Sequence, residues 1–242
     1  MTDVIIAGIG QTVVGEHWEL SLRELALEAI QAALQDSFGL RPQALFVANM
    51  LAPQLSGQAH VGALLADHAH LHGIEASTIE AAGASGGAAL RAGYMAVASE
   101  MVDVALVVGV EKMTDMIGGE VESALMTSGD SDYEAVHGLT QTAQAAILMR
   151  RYFYEYGVQK ASFAGFALNA HANGVGNPKA MFRKAISLDS YTSASMVSDL
   201  LNMFDVSPNA DGAAALLLTR ADVLPSGFPN PIVRIAASSL AT

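Results

Sequence analysis

The sequence predicts an α/β fold, with a mostly parallel mixed sheet flanked by helices and one inserted, loop-rich subdomain. Two features of the chain point to it. Through the first 111 residues, short apolar runs rich in β-branched side chains alternate with longer segments of helical period, the pattern of repeated βαβ units. That alternation lapses after Glu111 and resumes at the apolar run from Gly212 to Thr219, so the stretch between reads as an excursion from the sheet.

The first strand is DVIIAGIG, apolar and closed by glycine. SLRELALEAIQAALQDSFG follows as a helix, with Ser21 and Glu24 at capping-box spacing and Gly39 beyond its end. ALFVANM is the second strand. A helix containing VGALLADHAHLHG, stopped by Gly73, leads to EASTIE, the third strand. The next helix runs from about Gly86 to Glu100 and is followed by the strand VDVALVVGV. Successive units of this kind call for a mainly parallel sheet with helices on its faces.

From Met113 to Gly138 the chain is rich in Gly, Ser, Asp and Glu and keeps no sustained period. Two helices come next, TQTAQAAILMRRYFYEYG and SFAGFALNAHANG, then a loop with Pro178 and a short helix near Ser187 to Leu201. DVSPNADGAAALLLT reads as a turn and a buried strand, and PNPIVRIAASSLAT opens another strand. The expected core is residues 1–111 with 208–242, and the expected subdomain is 112–207.

Composition narrows the function classes. With 52% hydrophobic residues in 242, the chain can fill one substantial core. No apolar run approaches the roughly 20 residues of a membrane span, and the N-terminus has no basic segment or cleavage site of an export signal. A cytoplasmic location is the default expectation. The absence of cysteine removes disulfides, thiolate-bound metals and thiol nucleophiles. Acidic residues outnumber basic ones, 24 to 12, which argues against a nucleic-acid binder. Arg150, Arg151, Lys160, Lys179, Arg183 and Lys184 gather in the second half and leave room for a local phosphate site.

Other candidate features are weak. His68, His70 and His72 sit in a segment of helical pattern where their spacing does not share a face, and no acidic cluster completes a metal site. His137 and His171 stand alone. GIGQTVVG lacks the spacing of a dinucleotide fingerprint and no helix begins at its glycines.

TIEAAGASGGAALRAG, Thr78 to Gly93, is more informative. It reads as a strand that turns abruptly into a helix, a junction that aims backbone N–H groups and the positive end of the helix dipole at one spot. Ser85 is the hydroxyl there; its ordinary role would be helix N-cap, and no base adjoins it in sequence.

Together with IIAGIGQT, VDVALVVGVEKMTD, HGLT, RRYFYEYG, NAHANGVGNPKAMFRKAIS and SPNADGAAALLLT, the box EAAGASGG resembles the N-terminal half of the thiolase superfamily. The likeness runs toward sterol-carrier-protein-type thiolases and acetyl-CoA acetyltransferases. It implies a thiolase-like βαβ core, an inserted loop subdomain that contacts coenzyme A, and a C-terminal half, carrying further catalytic motifs, that lies beyond this sequence. In such enzymes the nucleophilic cysteine occupies the position held here by Gly83. Glycine cannot accept an acyl group, so this chain alone is expected to be inactive as a thiolase.

The resemblance leaves Gly83 as a backbone N–H at the reaction centre, with Ser85 and Gly86 shaping the turn and Met113 packing near it. Arg183, Lys184 and His171 are the candidates for the coenzyme A phosphate region. The ligand would be an acyl-CoA thioester as substrate, with no covalently bound cofactor and no metal. Thiolase-like aldolases that lack the cysteine cleave 3-hydroxyacyl-CoA by retro-aldol chemistry, often beside an OB-fold partner. The expected partners are therefore a second copy in a homodimer, a complementary thiolase half or such an OB-fold subunit. The competing readings are a non-catalytic scaffold left after loss of the nucleophile and a truncated form of an ordinary acetyltransferase.

Overall fold

The computed structural model describes residues 3–241. They form two compact units, one running to Asp115 and resuming at Asp211, the other Met116–Ala210. In chain order the first unit contributes β1 (Val4–Gln11), α1 (Leu22–Asp36), β2 (Ala44–Ala48), α2 (Ala52–Leu55), α3 (Val61–His68), β3 (Glu75–Ile79), α4 (Ser85–Ala98) and β4 (Val104–Glu111). The second holds α5 (Gly118–Leu125), α6 (Gln141–Tyr156), α7 (Ala164–Val175), α8 (Leu188–Thr192), β5 (Met196–Ser198) and β6 (Leu201–Asn202). The chain then returns to the first unit as β7 (Gly212–Arg220) and β8 (Val233–Arg234).

The main sheet has the order β3-β2-β4-β7-β1-β8. β2 pairs in parallel with β3 and β4, whereas β7 is antiparallel to β4 and to β1, and β8 is antiparallel to β1. Strands β1 to β4 therefore all run one way, and β7, reached through the second unit, runs against them in the middle. Side chains alternate across the sheet with period two, as strand geometry requires. Val104, Leu106, Val108 and Val110 of β4 join the core that includes Leu25, Ala29 and Ile30 of α1; Ala105 and Val107 face the other core, with Ala89 and Val97 of α4.

α1 starts as its capping box dictates. The Ser21 hydroxyl accepts from the Glu24 N–H, and the Glu24 carboxylate accepts from the Ser21 N–H at 2.8 Å. It lies so close to β1 that only glycine fits beneath it: a Cβ on Gly10 would overlap the Ala29 carbonyl oxygen and lie 2.7 Å from the Ala33 nitrogen. Because these are backbone atoms, the helix would have to lift. Gly10→Ala is expected to cost about 3 kcal/mol, read from the shift in a urea midpoint at unchanged slope.

Several expectations need correction. The helix expected through HAHLHG ends at His68; His70 takes a left-handed φ of 56° and its ring tilts against that of His72 at 6.0 Å. The stretch from Met113 to Gly138 contains α5, whose buried Val121 and Ala124 are too short a repeat to register as periodic. The helix expected over Ser187 to Leu201 stops at Thr192, and β5 and β6 form a small antiparallel hairpin in its place. Among the described residues no helix is long and apolar enough to cross a membrane.

Candidate functional site

Because β3, β2 and β4 are parallel neighbours, their C-terminal ends lie at one edge of the sheet, with Ala48 opposite both Ile79 and Gly109. At that edge of an α/β sheet, chain turning into helices presents backbone N–H groups to a ligand.

β3 passes into α4 through a 3-10 turn, Ala82–Ala84. Ala82 adopts a left-handed φ of 47°, costly for a residue with a side chain. Three hydrogen bonds hold it. The Glu80 carboxylate accepts from the Ala82 N–H, the Ser85 hydroxyl oxygen accepts from the Ala81 N–H at 2.9 Å, and the same hydroxyl donates to the Ala82 carbonyl oxygen at 2.7 Å. Ser85 is thus not the N-cap expected from its position; Ala84 occupies that place without a side-chain bond, and the buried hydroxyl turns back onto the preceding 3-10 turn.

Gly83 is exposed on this turn. A Cβ built on it meets nothing within 4 Å, and its φ lies outside the left-handed region. Neither crowding nor backbone conformation demands glycine here. Gly86 and Gly87 follow in the first turn of α4, exposed and with the same open space.

At the end of β4 stands a buried charge cluster that sequence reasoning did not single out. Asp211 accepts from the Lys112 ammonium at 2.9 Å, the Thr114 hydroxyl at 2.6 Å, and the N–H groups of Met113 (2.7 Å), Thr114 (2.9 Å) and His17 (3.0 Å). Burial alone would raise the Asp211 carboxyl, but the bonds from Thr114, His17 and Lys112 outweigh it and hold the pKa down at about 2. Lys112 likewise resists burial through Asp115 and Asp211, and its pKa is raised. Met113 is half-buried and placed by its N–H bond to Asp211. The available signal was a charge set directly against an apolar strand, in VEKMTD and again in NADGAA.

Gly83, Ser85 and Gly86 therefore share one turn, and Met113 follows the end of β4 in the same unit. His171, Arg183 and Lys184 belong to the second unit. There the His171 ring lies 3.1 Å, through Nδ1, from the Lys184 carbonyl oxygen, stacks on Phe182 and meets Phe204 edge-on. Arg183 and Lys184 are exposed.

The family model described as the thiolase N-terminal domain matches residues 4–222. The chain belongs to the thiolase family. An acetyl-CoA acetyltransferase of Methanothermobacter thermautotrophicus is 38% identical over 245 residues, covering 100% of this chain and 63% of that protein. A steroid side-chain-cleaving aldolase of Thermomonospora curvata is 30% identical, covering 88% of this chain and 56% of that one. Among solved structures, the Ltp2-ChsH2(DUF35) aldolase superposes with a TM-score of 0.73 at 24% identity, over 92% of this chain and 58% of that one. This thiolase N-terminal domain thus spans less than two-thirds of the length of these relatives. The matched segment takes in the second unit as well as the sheet from β1 through β7, so the excursion between Asp115 and Asp211 is part of the family domain.

Proposed function

We propose that this thiolase N-terminal domain holds an acyl-CoA thioester at the Gly83 turn and takes part in carbon–carbon bond chemistry without a covalent acyl-enzyme, together with a complementary thiolase half or partner subunit. The observation that carries it is a glycine at the position where the family resemblance puts the nucleophile, on a turn that remains exposed, strained and pinned although nothing there requires glycine. The turn is exposed and hydrogen-bonded in place, and residue 83 has no side chain that could carry an acyl group.

Retro-aldol cleavage fits such a site. A base removes the proton from the 3-hydroxyl of a 3-hydroxyacyl-CoA, the C2–C3 bond breaks to release an aldehyde or ketone, and its electrons pass into the thioester as an enolate. Protonation at C2 then gives the shortened acyl-CoA. Backbone N–H groups at the strand-to-helix junction stabilise the enolate oxygen, and the base comes from the partner. An acetyltransferase and an aldolase among the relatives are consistent with thioester carbon–carbon chemistry on this scaffold. His171, Arg183 and Lys184 are proposed to meet the phosphates of coenzyme A.

The need for a partner is supported by α4. Ala89, Gly93 and Val97 face the sheet, but the opposite side, through Gly87, Arg91 and Met95, carries a single charge, and that guanidinium donates to the Ser238 carbonyl oxygen. α1, on the other face of the sheet, instead exposes Arg23, Glu24, Glu28, Gln31 and Gln35. An outer helix side with so little charge suits a position beneath a second layer.

Calorimetric titration with acetyl-CoA tests the reading. Micromolar binding without turnover by the chain alone is expected, with aldehyde or ketone released from a 3-hydroxyacyl-CoA once the complementary half is added. Absence of binding at millimolar ligand would favour the non-catalytic scaffold.

A further inference from the structure

We propose that Glu111 is a positioning residue, whose carboxylate braces the loop after β2 against the end of β4 and thereby fixes the neighbouring Gly83 turn. This role rests on the assignment of that turn as the thioester site.

Glu111 is the last residue of β4. One carboxylate oxygen accepts from two successive backbone groups of the loop after β2, the Met50 N–H at 2.6 Å and the Leu51 N–H at 3.1 Å. The residue before them is tied in three directions. Asn49 donates through Nδ2 to the Val110 carbonyl oxygen at 2.8 Å, accepts through Oδ1 from the Ala52 N–H at 3.0 Å, and donates its own N–H to the Ile79 carbonyl oxygen at 3.3 Å. Ile79 ends β3, and the next residue, Glu80, begins the turn whose Ala82 N–H its carboxylate accepts. Hydrogen bonds and the short pieces of chain between them therefore link β4 through the Met50 loop to the end of β3, from which the Gly83 turn starts.

The side chain is an expensive way to obtain packing alone. Its second oxygen is sealed from solvent and has no hydrogen-bond partner among the described residues. Leaving a buried acceptor unpaired works against stability, and such groups call for an explanation. Burial pushes the carboxyl pKa up and outweighs the N–H groups of Met50 and Leu51, which pull it down. An apolar residue would fill the space without that penalty, but it would leave Met50 and Leu51 without an acceptor and the loop free to lift. The brace explains why an acceptor is kept.

Amide hydrogen exchange on wild type, Glu111→Ala and Glu111→Gln, with acetyl-CoA titration of each, tests the role. In Glu111→Ala the Met50 and Leu51 amides should exchange about tenfold faster or more, and the amides of Ala82 to Ser85, on a different loop, should also speed up. Glu111→Gln, which keeps an acceptor oxygen, should restore much of the protection in both segments. Acetyl-CoA should bind Glu111→Ala about tenfold more weakly, following the same loss of a charge-assisted acceptor. Faster exchange at Met50 and Leu51 with wild-type exchange at Ala82 to Ser85 would overturn the brace, as would undiminished acetyl-CoA affinity in Glu111→Ala. If Glu111→Ala does not fold, Glu111→Gln decides by the same comparison of the two segments. If wild type itself binds no acetyl-CoA, the thioester site fails, and the exchange data still decide whether Glu111 couples the two loops.

Discussion

Asp211→Asn is expected to destabilise the protein by about 3–5 kcal/mol, the range for breaking a buried ion pair by removing one partner. The Asp211 side chain is fully buried and that of Lys112 almost so. The substitution leaves the Lys112 ammonium with the half-exposed Asp115 as its charged partner and sets an amide nitrogen, a donor, either against the Met113 and Thr114 N–H groups or against the Lys112 ammonium, the Thr114 hydroxyl and the His17 N–H. Lys112→Met should cost less, because the three backbone N–H groups and the Thr114 hydroxyl still satisfy the carboxylate. A double variant with an apolar residue at 211 should not recover stability, since those donors then lose their acceptor. The pH dependence has a definite sign. The folded-state carboxyl is depressed from 3.8 to about 2, so the stability it contributes is fully present above 3.8 and is lost as pH falls toward 2. Urea midpoints of wild type and Asp211→Asn should therefore converge across that window. A constant gap from neutral pH down to 2 would show that the carboxylate charge is not what stabilises the fold.

Gly83→Cys is expected to leave stability nearly unchanged, within about 0.5 kcal/mol, and to create a reactive thiol. The added Cβ meets nothing within 4 Å, and the backbone at this position needs no left-handed φ. A thiol at the start of a helix is shifted toward thiolate, which is the nucleophilic form. Iodoacetamide should alkylate it faster than a cysteine placed at an exposed mid-helix position such as Met95, and acetyl-CoA should transfer its acyl group to it, seen as a hydroxylamine-labile adduct by mass spectrometry. Transfer should be slow without the complementary half. A thiol at 83 that reacts no faster than the control, or that unfolds the chain, would mean that the turn has lost the geometry attributed to it.

Both variants act where different amounts were legible beforehand. The strands and helices of the first unit were readable because each carries its own period. The α1 capping box needs only Ser21 and Glu24, and β4 is a run of valines, alanine and leucine between charges. The Gly83 turn was readable as a junction because EASTIE and the helical segment after it flank a run of small residues. The role of Ser85 was not, because an N-cap and a hydroxyl bonded back to a 3-10 turn present the same residue at almost the same place. The second unit was read less well. Its short helices bury few side chains, and the segment after Thr192 becomes a hairpin whose two strands are too brief to show alternation.

The α/β class, the order of the core strands with α1, α3 and α4, the excursion between β4 and β7, and the likeness to thiolase N-terminal domains were all legible in the chain, since they follow from local period and motif order, whereas the four-residue α2 was too short to read. Folding in three dimensions was needed to see that β7 lies antiparallel between β4 and β1, that Asp211 gathers Lys112, Thr114, Met113 and His17 around one carboxylate, and that Glu111 reaches across to the loop after β2. The reason is physical. Strand order and side-chain partnership join residues 61, 99 and 194 positions apart, and hydrogen bonds at that range leave no periodic trace in the chain that makes them.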